Sequence, residues 1–290
     1  MTRTSPVRRL AGVAHRHPGL RLAALLAAPM TWLVVAYLGA LSIMLVSAFW
    51  TVNSFTSNIE YVWNLSNFQT IVTDPAYREI VLRTLGIAIA VTAIDLAFAL
   101  PMALYLAFVA TPRASRVMLA AVITPLWAGY LVKAYAWWVA LSNGGIIDWI
   151  LKPFGLSSPG FGTTAVILTL SYLWLPYMIL PVYTSLGQMS PSVLSASADL
   201  GARPGRTLRT VVLPLLKPAI IAGSIFTFSL SLGDYLAVEI VGGNTTMLGS
   251  AIAGDVTLNL PLAAALSCVP VAIIVCYLLA ARRSGALDQL

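Results

Sequence analysis

A chain of 290 residues that is 59% hydrophobic and 9% charged, with mean hydropathy +0.87, lies far outside soluble domains, where about a quarter of residues are charged. That composition excludes a soluble enzyme and describes a polytopic membrane protein. The net charge of +7 does not describe a nucleic-acid binder, because the cations recur in alternate connections between apolar runs and form no single patch.

Residues 1–21 form a basic tail with Arg3, Arg8, Arg9, Arg16 and Arg21, expected to lie near anionic headgroups. Its two histidines, His15 and His17, have no sequence partners for a metal site or a catalytic base. Residues 22–50 carry no charge and exceed the roughly 7–15 apolar residues of a signal peptide, so they are expected to be an uncleaved first transmembrane helix. Residues 51–78 are polar, without Lys or Arg before Arg78, and form an outer loop with an interfacial Tyr61-Val62-Trp63.

The remaining core, residues 79–281, is expected to hold five further transmembrane helices. The second spans 79–109 and contains Asp95; the third spans 117–141 and contains Lys133. A turn at Asn143-Gly144-Gly145 precedes a short amphipathic element with Asp148 and Lys152. The fourth span, 163–187, is kinked by Pro176 and Pro181. The fifth is expected over 219–241, followed by an outer loop over 242–257. The sixth, 258–281, contains Cys268 and Cys276 as packing residues. Residues 282–290 form a short basic end. Runs longer than about 20 apolar residues without period-two alternation exclude a β-barrel. The fold class is an all-α integral membrane protein of about six transmembrane helices.

The fourth and fifth spans are joined by a basic loop, residues 188–218. It carries Arg203, Arg206, Arg209 and Lys217, and a charge at the bilayer centre costs about 2.5–3.5 kcal/mol, so this loop belongs in water. Most of the 17 Lys and Arg residues fall in the tail, this loop and two other alternate connections. The positive-inside rule therefore places both termini and the loop in the cytoplasm. Within the loop, residues 195–200 suit a helix, Gly201 suits its end, and Pro204 suits the first turn of a second helix. Arg206 and Arg209 share a face of that second helix, which Leu213-Pro214 and Pro218 are expected to end or bend. A helix–break–helix at the membrane surface suits docking.

The spacing of this loop resembles that of ABC-importer permeases. Ser195-Ala196-Ser197 stands at the E-A-A position of the family's motif, Gly201 at its invariant-spacing glycine, and Val211 with Leu213-Pro214 at its close. Ser195 replaces the family's Glu and Ser197 its second Ala; Asp199, one turn on, is a candidate substitute for the missing acid. The likeness continues through Asn67-Phe68, Asp74 to Tyr77, Arg83-Thr84-Leu85, Pro125-Leu126-Trp127, Leu131 to Trp137, Ser229 to Tyr235 and Gly242 to Thr246. These stretches are similar to PotB-type permeases of spermidine/putrescine importers, within a wider group that also moves opines and phosphonates.

The resemblance implies a type I ABC importer permease fold in the bacterial inner membrane, with both termini cytoplasmic. Its loop, including Ala202 and Arg206, would be the coupling helix that seats in a dimer of ATP-binding subunits. A second, related permease, an extracytoplasmic substrate-binding protein and membrane lipid are the other implied partners; nucleic acid is not among them. The chain itself is expected to be non-catalytic. A phosphate-binding loop needs Gly-Lys-Ser/Thr, and the three lysines follow Val132, Leu151 and Leu216. ATP and Mg would therefore bind the partner subunit, and this chain would hold no cofactor or metal of its own.

A polyamine would be met by carboxylates and aromatic faces. Asp234 and Glu239 are five residues apart in the expected fifth span, so about 140° apart around a helix. With Tyr235 they are candidate pathway residues, as are Trp127, Tyr130 and Trp137 in the third span and Trp174 in the fourth. The same aromatics equally suit interfacial packing. Asp95 and Lys133 are expected to be structural, each satisfied by a neighbouring span. A rival reading, an ion-coupled secondary transporter with Asp95, Asp234 and Glu239 as a proton relay, is weakened by the lack of an inverted repeat.

Overall fold

In hydrocarbon no water bonds the backbone, so each N–H and C=O must be satisfied within the segment, and the long apolar runs of this chain are helical. The structure is a computed structural model that describes residues 18–53 and 56–283. The tail before Pro18, with His15, His17 and four of its arginines, and the end from Ser284 onward lie outside the described residues.

The first span is a rod made of α1 (Pro18–Trp32), a widened π-helical stretch (Leu33–Leu38) and α2 (Gly39–Ser47). Trp32, Leu33, Val35, Tyr37 and Ile43 all stand exposed on it, so along most of its length this rod is little covered by the other described residues. It is anchored at its far end, where Ala48 joins a cluster with Ile71, Leu248 and Ala264. Asn67 completes that anchor by donating to the carbonyls of Ala48 at 2.9 Å and Trp50 at 2.8 Å. The expected loop over 51–78 holds more structure than its polarity suggests. Thr51–Val52 (β1) pairs antiparallel with Ile59–Glu60 (β2), and α3 (Ser66–Thr73) precedes the second span.

That second span is α4 (Pro75–Phe108), 34 residues and so about 51 Å long, well beyond the roughly 30 Å of a hydrocarbon core. Pro75 opens it and Asp74 caps it, accepting from the Ala76 N–H at 2.8 Å. Its buried face sets three alanines (Ala88, Ala99, Ala103) among Thr84, Ile87, Val91, Asp95 and Leu106, and the small residues let α8 (Thr163–Gln188) approach closely. α8 is the central helix: it buries Val166, Leu170, Leu173, Met178, Ile179 and Val182, and its two prolines lie inside an unbroken helix.

The expected third span is not one helix. α5 (Pro112–Trp127) and α6 (Tyr130–Leu141) are bent by 101° at Ala128 and Gly129, both of which take extended backbone angles. A short element follows, α7 (Ile146–Leu151), and then a single 3-10 turn. The basic hairpin is α9 (Pro191–Asp199) followed by α10 (Pro204–Thr207).

Here too the structure corrects the sequence. Pro214 does not end the helix. A π-helical stretch (Leu208–Val212) carries α10 into α11 (Leu213–Leu232), and the wider turn accommodates a proline that lacks a donor. The whole run Pro204–Leu232 is 29 residues long. It stops at Gly233, short of the expected end at 241, and α12 (Leu236–Val241) starts afresh. The region expected to be an outer loop contains an apolar helix, α13 (Leu248–Leu258), before the last span, α14 (Leu260–Arg283).

α4, α8 and α11 form the packed centre. Gly223 of α11 sits against α8 so closely that a Cβ there would lie 2.7 Å from Met178 Sδ and 3.2 Å from Met178 Cα. α14 leans on this trio through Phe228 and Tyr277, whose rings are 5.2 Å apart. By length and composition the described residues contain five helices able to cross a membrane, or six with the bent pair counted as one span.

Candidate coupling hairpin and the paired helix breaks

The hairpin owes its shape to one glycine. Gly201 has φ +75°, a left-handed conformation that side chains disfavour. From it the Gly201 N–H reaches the Ala198 carbonyl at 2.8 Å and the Ala202 N–H reaches the Ser197 carbonyl at 3.1 Å. This pair of bonds is a complete Schellman close to α9. Arg203 is extended, and Pro204 then starts α10. Ser197, which stands where the resemblance expects Ala, is buried and shares a hydrogen bond of 2.9 Å with Thr207, so it staples the two limbs.

The hairpin is held to the bundle from below. Val212 and Leu216 pack with Ala103, Val182 and Leu186, and Leu194 and Leu208 lie against that cluster. What remains outside is a consistent face. Ser195, Ala196, Asp199, Arg203, Arg206, Arg209 and Pro214 are exposed, while Ala202, Val211 and Leu213 are partly covered. Leu200 is 89% exposed at the tip, an apolar residue that charge-based reading of the loop overlooks. Val193, Leu200, Arg206 and Val211 border a recess of about 440 Å³ between the limbs. An exposed Leu on a hairpin with such a recess and three exposed arginines suits a protein partner better than solvent alone.

At the opposite end of the bundle, the two helix breaks meet. Tyr130, first residue of α6, donates its hydroxyl to Asp234 Oδ2 in the break between α11 and α12. The other carboxylate oxygen, Oδ1, accepts from the Ala237 N–H at 2.9 Å and so caps α12. Asp234 is 8% exposed. α13 closes over it: a Cβ on Gly249 would lie 2.6 Å from the Asp234 carbonyl oxygen. The start of α13 is tied in turn to α4, because the Leu248 N–H donates to Thr84 Oγ1 at 2.9 Å. Tyr130 also leans on Trp174, with ring centroids 6.1 Å apart, and Trp174 on Tyr177 at 5.9 Å.

The pathway candidates are thus split by the fold. Asp234 and Tyr130 come together in a satisfied, buried latch. Glu239 and Asp234 do not share a helix, so the angular argument between them fails; the break at Gly233 separates them, and Glu239 is exposed on α12. Tyr235 and Trp127 face outward at 44% and 88% exposure. Trp137 is partly covered and packs on Tyr172 at 5.7 Å. Asp95 is fully buried beside Ser171 of α8, the polar group that a neighbouring span offers it, but neither its carboxylate oxygens nor the Ser171 hydroxyl makes a well-formed hydrogen bond among the described residues. Lys133 has no ion-pair partner among the described residues either. No group of three His, Cys, Asp or Glu able to hold a metal occurs among the described residues.

Long apolar spans, a stapled basic hairpin at one end and two broken spans latched together at the other define a membrane permease. The chain belongs to the family of binding-protein-dependent transport system inner membrane components, whose family model matches residues 85–285. It is 40% identical to the inner membrane ABC transporter permease protein YdcU of Escherichia coli (strain K12), over 97% of this chain and 95% of that one. The spermidine/putrescine transport system permease protein PotB of the same organism is 29% identical over 75% of this chain and 79% of its own. In fold, the chain matches one from the crystal structure of a bacterial alginate ABC transporter in complex with an alginate pentasaccharide-bound periplasmic protein. The TM-score is 0.73 at 15% identity, covering 95% of this chain and 98% of that one. The type I ABC importer permease fold and a multi-pass position in the inner membrane follow.

Proposed function

We propose that this chain is one permease of a heterodimeric, ATP-driven importer for polyamines of the spermidine/putrescine kind. It is non-catalytic: ATP and Mg bind a dimer of separate ATPase subunits, and this chain needs no cofactor. The hairpin, with both termini, faces the cytoplasm, and an extracytoplasmic binding protein delivers substrate to the opposite face.

The observation that carries this reading is the continuity between the two sites. The hairpin limb α10 runs without interruption into α11, and α11 ends at the Asp234 break. Its 29 residues make a lever about 43 Å long. When nucleotide binding draws the ATPase subunits together, a hairpin seated on them through Leu200, Ser195, Asp199 and Arg206 is displaced. The lever carries that displacement to the latch between Tyr130 and Asp234, where α6 and α12 then reorient, and the cavity between the two permeases opens to the other side.

The substrate class is supported by the residues left exposed. Glu239, Tyr235 and Trp127 leave a carboxylate and two aromatic faces exposed, free to meet a second permease in the assembled transporter. A primary or secondary ammonium is stabilised by such groups. The likeness to PotB adds support.

The test is uptake in proteoliposomes that contain this chain with its companion permease, ATPase and binding protein. ATP-dependent accumulation of radiolabelled spermidine is expected, and loss of that uptake in Gly201→Val, which forces a β-branched residue into a left-handed position at about 1–2 kcal/mol. ATP-dependent uptake of an opine or a phosphonate, with none of spermidine, refutes the substrate and keeps the mechanism. Flux driven by an ion gradient through this chain alone refutes both.

A further inference from the structure

Lys133 sits in the first turns of α6, partly covered, at one end of a recess of about 320 Å³. The recess lies between α6, α7 and the side of α8, and is bordered by Lys133, Trp137, Ala140, Ile146, Ile147 and Tyr172. Its lining offers a cation at one point, two aromatic rings, and otherwise hydrocarbon. A lysine within an apolar segment calls for a counter-charge. None is supplied here, because the ion pair found among the described residues is Arg83 with Glu79. The recess is not enclosed, and the element beside it has the character of a membrane interface. On α7 and the 3-10 turn after it, Ile146, Trp149, Ile150 and Phe154 are 61%, 73%, 52% and 76% exposed. A short element that turns aromatic and aliphatic side chains outward, with Lys152 among them, suits the headgroup boundary of a bilayer.

We propose that this recess is a binding site for an anionic phospholipid of the leaflet opposite the basic hairpin. Lys133 pairs with the phosphate, Trp137 and Tyr172 flank the glycerol, and an acyl chain follows the apolar wall of Ala140, Ile146 and Ile147. The sign of the charge separates this site from the transport path proposed above, since a polyamine is repelled by Lys133. It also gives Lys133 the counter-charge that the described residues do not supply. The lysine stem is long enough to reach an interfacial phosphate while its methylenes stay in hydrocarbon. The proposal does not depend on which solute the transporter moves.

The phosphate chemistry is shared with free anions, so the experiment separates the two. The full-length chain, purified in a nonionic detergent, is titrated with dioleoylphosphatidylglycerol or dioleoylphosphatidylcholine, and bound lipid is counted by native mass spectrometry. The wild-type chain is expected to retain phosphatidylglycerol in preference to phosphatidylcholine. Lys133→Gln is expected to weaken phosphatidylglycerol retention about fivefold, the effect of one cation near a charged surface; Lys133→Arg should keep it. Ala140→Trp, which fills the wall of the recess and leaves the charge in place, should weaken it too, and it serves where Lys133→Gln fails to fold. Equal retention by wild type, Lys133→Gln and Ala140→Trp overturns the proposal. So does displacement of the lipid by millimolar inorganic phosphate or glycerol 3-phosphate, which assigns the recess to a free anion. A carbodiimide cross-link from Lys133 to a carboxylate of a co-purified permease overturns it as well, since the counter-charge is then a protein's.

Discussion

Asp234 keeps its place in an apolar bundle because both of its oxygens are used, one by the Tyr130 hydroxyl and one by the Ala237 N–H. Tyr130→Phe removes one donor and leaves a buried carboxylate oxygen unpaired, which costs about 1–3 kcal/mol. Its melting temperature in detergent should fall measurably below wild type, while Asp234→Asn should fall less. An Asn carbonyl still accepts from Ala237, and its amide can donate to the Tyr130 oxygen. If Tyr130→Phe melts with wild type, the latch contributes nothing to stability. Asp95 is the opposite case, a buried carboxylate with the Ser171 hydroxyl beside it but no well-formed hydrogen bond among the described residues. Asp95→Asn keeps the volume and lowers the desolvation penalty. It is expected to melt at or above the wild-type temperature, and a clear loss in thermal-shift measurements shows that Asp95 has a partner essential to the fold. At this scale the sequence singles out the acids by their cost but cannot name their partners. Tyr130 lies 104 positions from Asp234, and only the tertiary fold brings them together. Leu200 escaped notice for a different reason, since in a one-dimensional reading an apolar residue in a basic loop looks buried.

Elements were legible where length alone decides them. α4, α8 and α14 lie close to the apolar runs that announce them, because a bilayer admits few other structures of that length. The breaks were not legible, because Ala128-Gly129 and Gly233-Asp234 fall inside stretches apolar enough on average to read as single spans, and hydropathy carries no information about dihedral angles. Pro214 misled in the other direction, since the proline penalty depends on register and the π-helical stretch just before it changes that register. The stretch that forms α13 reads as a loop because its 11 residues include two glycines and Asp255, and nothing local reveals that it is packed over Asp234. That packing makes a prediction at the level of the element. Gly249→Ala places a Cβ 2.6 Å from the Asp234 carbonyl oxygen and 3.0 Å from that of Gly233, backbone atoms rather than a flexible side chain that could yield. Overpacking of this kind costs about 1–3 kcal/mol. The expected result is faster backbone hydrogen exchange in both α12 and α13 compared with wild type, with α8 unchanged. Exchange confined to α13 would mean that the two elements are not mechanically joined.

At the scale of the molecule, the bundle has a stiff centre and two working ends. α4, α8 and α11 are held together by alanines, glycine and buried branched side chains, whereas the first span contributes little beyond its anchor at Ala48 and Asn67. A packed trio of this kind moves as rigid pieces or not at all, since interiors are dense and transmit strain. The run Pro204–Leu232 is the one piece that belongs to both the hairpin and the latch, so its stiffness sets how much of a displacement at Gly201 arrives at Asp234. Ala222→Gly tests this directly, because it sets a second glycine beside Gly223 in the middle of the lever. The helix loses about 1 kcal/mol and some of its rigidity, while the hairpin, the latch and the surfaces offered to partners are untouched. In the reconstituted transporter ATP hydrolysis should continue near the wild-type rate while solute imported per ATP hydrolysed falls severalfold. An unchanged ratio would show that motion reaches the far end by another route, with α4 and α8 the remaining helices that extend between the two ends of the trio.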